Sequence, residues 1–140
     1  MIYSGRCHCG NLSFDFETAL SPDQLPVRAC QCTFCRAHGA LSTSDPKGSV
    51  RIRATDAALV QRYRFGLGIT DFLICRRCGV YLLAMMELDG AHYAVMSANL
   101  LDCREHMAPP QPMDYDGEDE AGRIARRKTR WTPVTVQQGL

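Results

Sequence analysis

Seven cysteines in three tight clusters are the part of this 140-residue sequence best able to do chemistry: Cys7-His8-Cys9, Cys30-Gln31-Cys32-Thr33-Phe34-Cys35 and Cys75-Arg76-Arg77-Cys78. Cys-x-Cys pairs meet the Cα separation and dihedral angles of a disulfide poorly. The opening Met1-Ile2-Tyr3-Ser4-Gly5-Arg6-Cys7 has no apolar signal segment, so the expectation is a cytoplasmic chain with reduced thiols. Close thiolate pairs on tight turns suit the edges of a tetrahedral metal site. Such sites take zinc or iron–sulfur clusters rather than hard cations. Gly10 and Gly79, directly after two of the clusters, give the turns a knuckle form in which backbone amides face sulfur, and this favours zinc.

Seven ligands divide as four plus three. A closed Cys₄ site is structural, whereas three protein ligands leave a position open for chemistry. The two-cysteine clusters make the closed site from Cys7, Cys9, Cys75 and Cys78; Cys30, Cys32 and Cys35 make the open one. Spacing alone also permits Cys30/Cys32 to pair with Cys75/Cys78, or a single site with spare thiols. His38 follows Cys35 at Cys-x-x-His spacing, which can close a Cys₃His site or set an acid–base ring beside the metal. It therefore joins the three cysteines as a candidate catalytic residue. His8 reads as solvent-facing. Arg76 and Arg77 have the chemistry to hold carboxylates, but on a knuckle they read first as exposed. Phe34, Phe65 and Phe72 read as core before pocket wall, and Cys103 as a free buried thiol.

The elements that must carry these clusters are mostly short strands. Leu12–Phe16 and Val50–Ala54 alternate apolar and polar residues, as half-buried strands do. Val27–Cys30 reads as a strand delivering the three-cysteine cluster, and Leu41–Thr43 as a weak strand ended by the turn Asp45-Pro46-Lys47-Gly48. Asp56 is placed to cap a short helical piece, and Tyr63 and Phe65 alternate with Arg62 and Arg64. Ile69–Ile74 leads to Cys75. Val80–Leu88 is a long apolar run, predicted as a buried strand turning at Asp89-Gly90 into Tyr93–Ser97. Residues 107–112 hold three prolines and read as a linker. Five acids over 114–120 precede five bases over 123–130, which predicts a helix from about Glu118 to Lys128 whose charge order matches its dipole. The adjacent acids offset the bases, so the face reads as solvated and no nucleic-acid partner is expected. Trp131–Val134 is predicted as an edge strand. The organisation expected is a domain over 1–106 and a C-terminal extension over 107–140.

Composition bounds the rest. The formal charge is +1, apolar residues make up 46%, and no apolar run is long enough for a membrane span. Gly5-Arg6-Cys7-His8-Cys9-Gly10, Cys30-Gln31-Cys32-Thr33-Phe34-Cys35-Arg36 and Cys75-Arg76-Arg77-Cys78-Gly79, in this order, together with Ala98-Asn99-Leu100-Leu101-Asp102, resemble the glutathione-dependent formaldehyde-activating enzyme (CENP-V/GFA) family. The resemblance spans about residues 5–102. It implies a mainly β, Mss4-like (β-tent) fold stapled by zinc, with short helical pieces. It implies two zinc ions per chain: a structural one on Cys7, Cys9, Cys75 and Cys78, and a second, catalytic one on Cys30, Cys32 and Cys35. It further implies carbon–sulfur lyase chemistry on the adduct of glutathione, or another small thiol, with a small aldehyde. Gln31 departs from the family's frequent histidine. The alternative is a non-catalytic zinc-stapled binding module, or a carrier of the thiol or its adduct.

Overall fold

The structure, a computed structural model, describes residues 1–140. In chain order the strands are β1 (Ile2–Arg6), β2 (Leu12–Glu17), β3 (Arg28–Cys30), β4 (Ser42–Thr43), β5 (Ser49–Ala54), β6 (Val60–Tyr63), β7 (Asp71–Cys75), β8 (Tyr81–Leu88), β9 (Ala91–Ser97), β10 (Gln111–Met113) and β11 (Thr132–Gln138). The helices are α1 (Thr33–His38) and α2 (Glu120–Arg130). The architecture is mainly β, as the resemblance implies. No helix is long and apolar enough to cross a membrane.

The strands form two sheets spliced by one strand. The first runs β1-β2-β5-β11, and the second continues β9-β4-β3-β10, with the β6-β7-β8 meander attached to β9. β11 is the splice. Its start pairs antiparallel with β9 (Thr132 opposite Ala94), and its remainder pairs parallel with β5 (Val134 opposite Val50). The predicted edge strand thus passes from one sheet to the other, pairing with β9 through Thr132 and Pro133 and with β5 from Val134 onward. Trp131 and Thr132 are buried and Pro133 and Val134 half-buried, while the rest of β11 is exposed. Residues 107–140 contribute three elements: β10 pairs with β3, α2 follows, and β11 joins the sheets. Gln111–Met113, within and just after the expected linker, thus lie in the sheet.

Two apolar layers follow from the patterning. Leu12, Phe14, Phe16, Val50 and Ile52 face Leu73, Leu83, Met85 and Met96 between the sheets. On the outer face of the second sheet, Phe72, Tyr81, Ala84, Met86 and Val95 pack with Trp131. β8 supplies side chains to both layers, which is why its sequence shows no polar alternation. Asp56 caps its helical turn as predicted, its carboxylate accepting from the Ala58 amide at 2.9 Å. Two elements had no clear sequence signal: β1, whose outward residues include exposed Ile2, and the six-residue α1.

Gly5 on β1 lies opposite Phe14 on β2. The Phe14 ring, fully buried, occupies the space a Cβ at Gly5 would need. Gly5→Ala is expected to lower stability by about 1–3 kcal/mol through overpacking, read as a shifted denaturant midpoint. An unchanged midpoint would show that β1 does not press on that ring.

Candidate metal centres and cavity

The four-cysteine cluster forms where two turns meet. Cys7 and Cys9 sit on the β1–β2 turn of the first sheet, and Cys75 and Cys78 on the β7–β8 turn of the second. The turns close as knuckles: the Gly10 amide donates to the Cys7 carbonyl at 3.0 Å and the Gly79 amide to the Cys75 carbonyl at 2.8 Å. Both glycines have positive φ, 85° and 76°. The Leu12 amide donates to Cys7 Sγ at 3.3 Å. Cys7 and Cys9 sulfurs lie 3.8 Å apart, and Cys9 and Cys75 sulfurs 3.6 Å apart. A tetrahedral zinc with bonds of about 2.3 Å has sulfur–sulfur edges of about 3.8 Å, so the donor set fits such an ion. All eight cysteines are free.

The thiols of this cluster hold their protons unevenly. Burial pushes Cys7 up to about 11, against the Leu12 amide. At Cys78 burial also raises the pKa, but hydrogen bonds from the Cys9 and Val80 amides and from the Cys75 and Cys7 thiols together draw it down to about 6. Adjacent thiolates repel, and a bound cation is what allows all four to ionise together.

Cys30, Cys32 and Cys35 form the second cluster, their sulfurs within 4.8 Å of one another. β3 ends on Cys30. Cys32 is the N-cap of α1, its Sγ accepting from the Cys35 amide at 3.4 Å. Asn99 holds the other end of α1 by donating to the Gly39 carbonyl at 3.1 Å. A hydrogen bond from Cys35 draws Cys30 down to about 6, and the same contact, with burial, pushes Cys35 well up. The structure thus brings together the four-plus-three division and excludes the cross-pairing that spacing permitted. His38 is not brought into the cluster. It is exposed, with its ring 4.5 Å from that of Phe34. His8, Arg76 and Arg77 are exposed, as expected. Cys103 is buried, and burial raises its pKa.

The three-cysteine cluster opens into a cavity of about 530 Å³. One wall is aromatic: Phe65, Phe72, Tyr81 and Trp131. Two of the phenylalanines expected as core therefore also line the cavity, because β7 turns Phe72 to the outer face of its sheet. Phe34 stands behind them, its ring 4.5 Å from Phe72 and 5.5 Å from Phe65. Burial and the neighbouring cysteines hold the Tyr81 phenol well above its ordinary pKa, so it stays protonated.

The other wall is arginine, and much of it comes from α2. Arg123, Arg126, Arg127 and Arg130 line the cavity together with Arg28 and Arg36. This corrects the expectation of a solvated helix face. Two of the guanidinium groups lie over aromatic rings. Arg126 lies 3.6 Å over Tyr115 and Arg127 4.6 Å over Trp131. Glu118 holds two of them: its carboxylate accepts from Arg126 at 2.7 and 3.0 Å and from Arg123 at 3.4 Å, which keeps its pKa below the usual carboxylate value. Asp119 caps α2, accepting from the Gly122 amide at 2.7 Å. Sequence spacing placed the charges on a helix but gave no sign that their face turns inward.

A mainly β fold gathers four thiols where its two sheets meet and holds three more on a cavity, so it presents two cysteine clusters whose donor sets could each hold a metal ion. Residues 2–115 match the family described as "Glutathione-dependent formaldehyde-activating enzyme", and the chain belongs to that family. The crystal structure of a Rhodobacter sphaeroides protein is similar, with a TM-score of 0.57 and 24% identity over 79% of this chain and 99% of that one. That likeness concerns the fold alone. No functionally curated protein matches the chain.

Glu118→Gln is expected to loosen α2 while leaving β2 and β5 unchanged. Amide exchange over residues 120–130 should quicken about 2- to 5-fold, the equivalent of about 0.5–1 kcal/mol for a partly exposed network. Unchanged exchange there would show that the arginine wall does not depend on Glu118.

Proposed function

We propose that this protein is a zinc-dependent carbon–sulfur lyase of the formaldehyde-activating type, joining and parting a small thiol, glutathione first among them, and a small aldehyde. The observation that carries this is the difference between the clusters: the three-cysteine set borders the cavity, and the four-cysteine set does not. Cys7, Cys9, Cys75 and Cys78 are assigned a structural zinc, and Cys30, Cys32 and Cys35 a second one. Zinc at the second centre would lower the pKa of an incoming thiol bound at its open position.

The chain's own residues do the remainder. Three thiolates leave one tetrahedral position for a substrate sulfur. Phe65, Phe72 and Trp131 exclude water from the sulfur corner. Tyr81, held protonated on the lining, can donate to the developing hemithioacetal oxygen. His38 lies off the lining and is given no part in proton transfer. Residues 1–106 are read as the metal-binding domain and 107–140 as an extension that completes the cavity; the reduced thiols suit a cytoplasmic setting. The second reading is a carrier that binds the adduct without catalysis. It is favoured by a lining with no histidine and Asp116 as its one carboxylate.

Metal analysis with exchange NMR of glutathione and formaldehyde tests this. The wild-type chain should hold about two zinc ions and speed the exchange above its spontaneous rate. Cys7→Ser and Cys78→Ser should lose the fold, because structural zinc contributes folding energy. Cys32→Ser should stay folded, keep about one zinc and lose the acceleration. A folded Cys78→Ser, or a Cys32→Ser protein that unfolds, would mean the two centres have been exchanged. Binding without acceleration in the wild type would leave the carrier.

A further inference from the structure

Resting on that reading of the sulfur centre, we propose that Arg28, Arg127 and Arg130 form an oxyanion clamp for the carboxylate or phosphate end of the thiol substrate, and that this clamp decides which thiols are accepted. Arg123 and Arg126 have Glu118 as counter-ion, but these three have no carboxylate within ion-pair distance. Arg127 is nevertheless fixed in place. Nη1 donates to Thr70 Oγ1, and the guanidinium lies over Trp131. Its Nε is buried without any hydrogen-bond partner. Arg28 is half-buried and donates to Ser44 Oγ at 2.8 Å; that hydroxyl donates to the Arg130 carbonyl at 2.7 Å, tying β3 to the end of α2.

Arg28 and Arg127 are preplaced guanidinium groups facing a cavity with no counter-ion, as suits an oxyanion, and Arg130, which is exposed, adds a third positive charge to the same lining. The planar fork matches a carboxylate or a phosphate, and burial makes the unpaired state costly. The cysteines lie on the same lining, so one ligand can reach both with different ends. Arg127 and Arg130 lie beyond residues 2–115, so two of the three clamp arginines come from the C-terminal extension and one, Arg28, from the part that matches the family.

Trp131 is the only tryptophan and lies on the lining, so its emission reports occupancy. The test is a titration of the full-length, metal-loaded protein with S-methylglutathione, whose capped sulfur cannot enter the centre as a thiolate. The clamp predicts a saturable change in emission. It also predicts affinity about tenfold weaker or worse for the diethyl ester of the same compound, and a similar loss in Arg28→Gln and Arg127→Gln, with only partial recovery in Arg127→Lys. Competition by inorganic phosphate would extend the accepted oxyanion to phosphate; no competition, with the ester effect intact, would restrict it to carboxylate. Equal binding of acid and ester, no emission change, or unaltered binding in both glutamine variants would overturn the clamp. The ester comparison needs no variant, so it stands if a substitution disturbs folding. Clamp binding without thiol–aldehyde acceleration would sink the lyase assignment alone, and acceleration without clamp binding would sink the clamp alone.

Discussion

Everything in this molecule depends on two knuckles from different sheets meeting at four sulfurs. The first sheet carries Cys7 and Cys9, the second Cys75 and Cys78. The sheets are also linked by the splice through β11, where backbone pairing passes from β9 to β5. A 140-residue chain folded as two small sheets has limited apolar area to bury. Cys7 and Cys75 are themselves almost fully buried and belong to the inter-sheet core. The four-cysteine cluster and the apolar core are therefore one structural unit, and a metal ion held by the first would stabilise the second.

The second centre depends on the first indirectly. The β7–β8 hairpin that presents Cys75 and Cys78 also carries Phe72 and Tyr81 to the opposite face of its sheet, where the cavity lies. α1 sets Cys32 and Cys35 beside that wall, and Asn99 pins α1 from the segment after β9. That segment also docks on the first sheet: the Asp102 amide donates to the Ser4 carbonyl at 3.0 Å, and Leu101 bridges to Gly5. Its part in the resemblance thus has a physical basis. It is the strut that couples β1 to the helix of the open centre.

The legible parts of the sequence were those governed by local rules. Alternation marked β2 and β5, Asp89-Gly90 marked the β8–β9 hairpin, and Asp56 marked a cap, because each signal is contained within a few residues. Cysteine order and spacing gave the four-plus-three division, although spacing alone left the cross-pairing open. The rest was set by tertiary contact. β11 reads as an edge strand from Thr132-Pro133-Val134, and only tertiary contact shows that it passes from β9 to β5 and joins the sheets. The acid-then-base order of α2 is equally consistent with a solvated helix. What turns the arginines inward is the aromatic surface of Trp131 and Tyr115 and the single carboxylate of Glu118, and no short-range pattern encodes those contacts. His38 shows the opposite failure, since correct Cys-x-x-His spacing was overruled by a helix that points the ring at Phe34 instead of the sulfurs.

In the proposed reading one thiolate centre is closed and the other has a position for a substrate sulfur. Zinc K-edge X-ray absorption of the metal-loaded protein, with and without glutathione, tests it most directly. Seven cysteines shared between two ions predict about 3.5 sulfur ligands per zinc, rising to about 4 when glutathione is added. A sulfur number of about 4 that glutathione does not change, or one zinc per chain, would contradict the account.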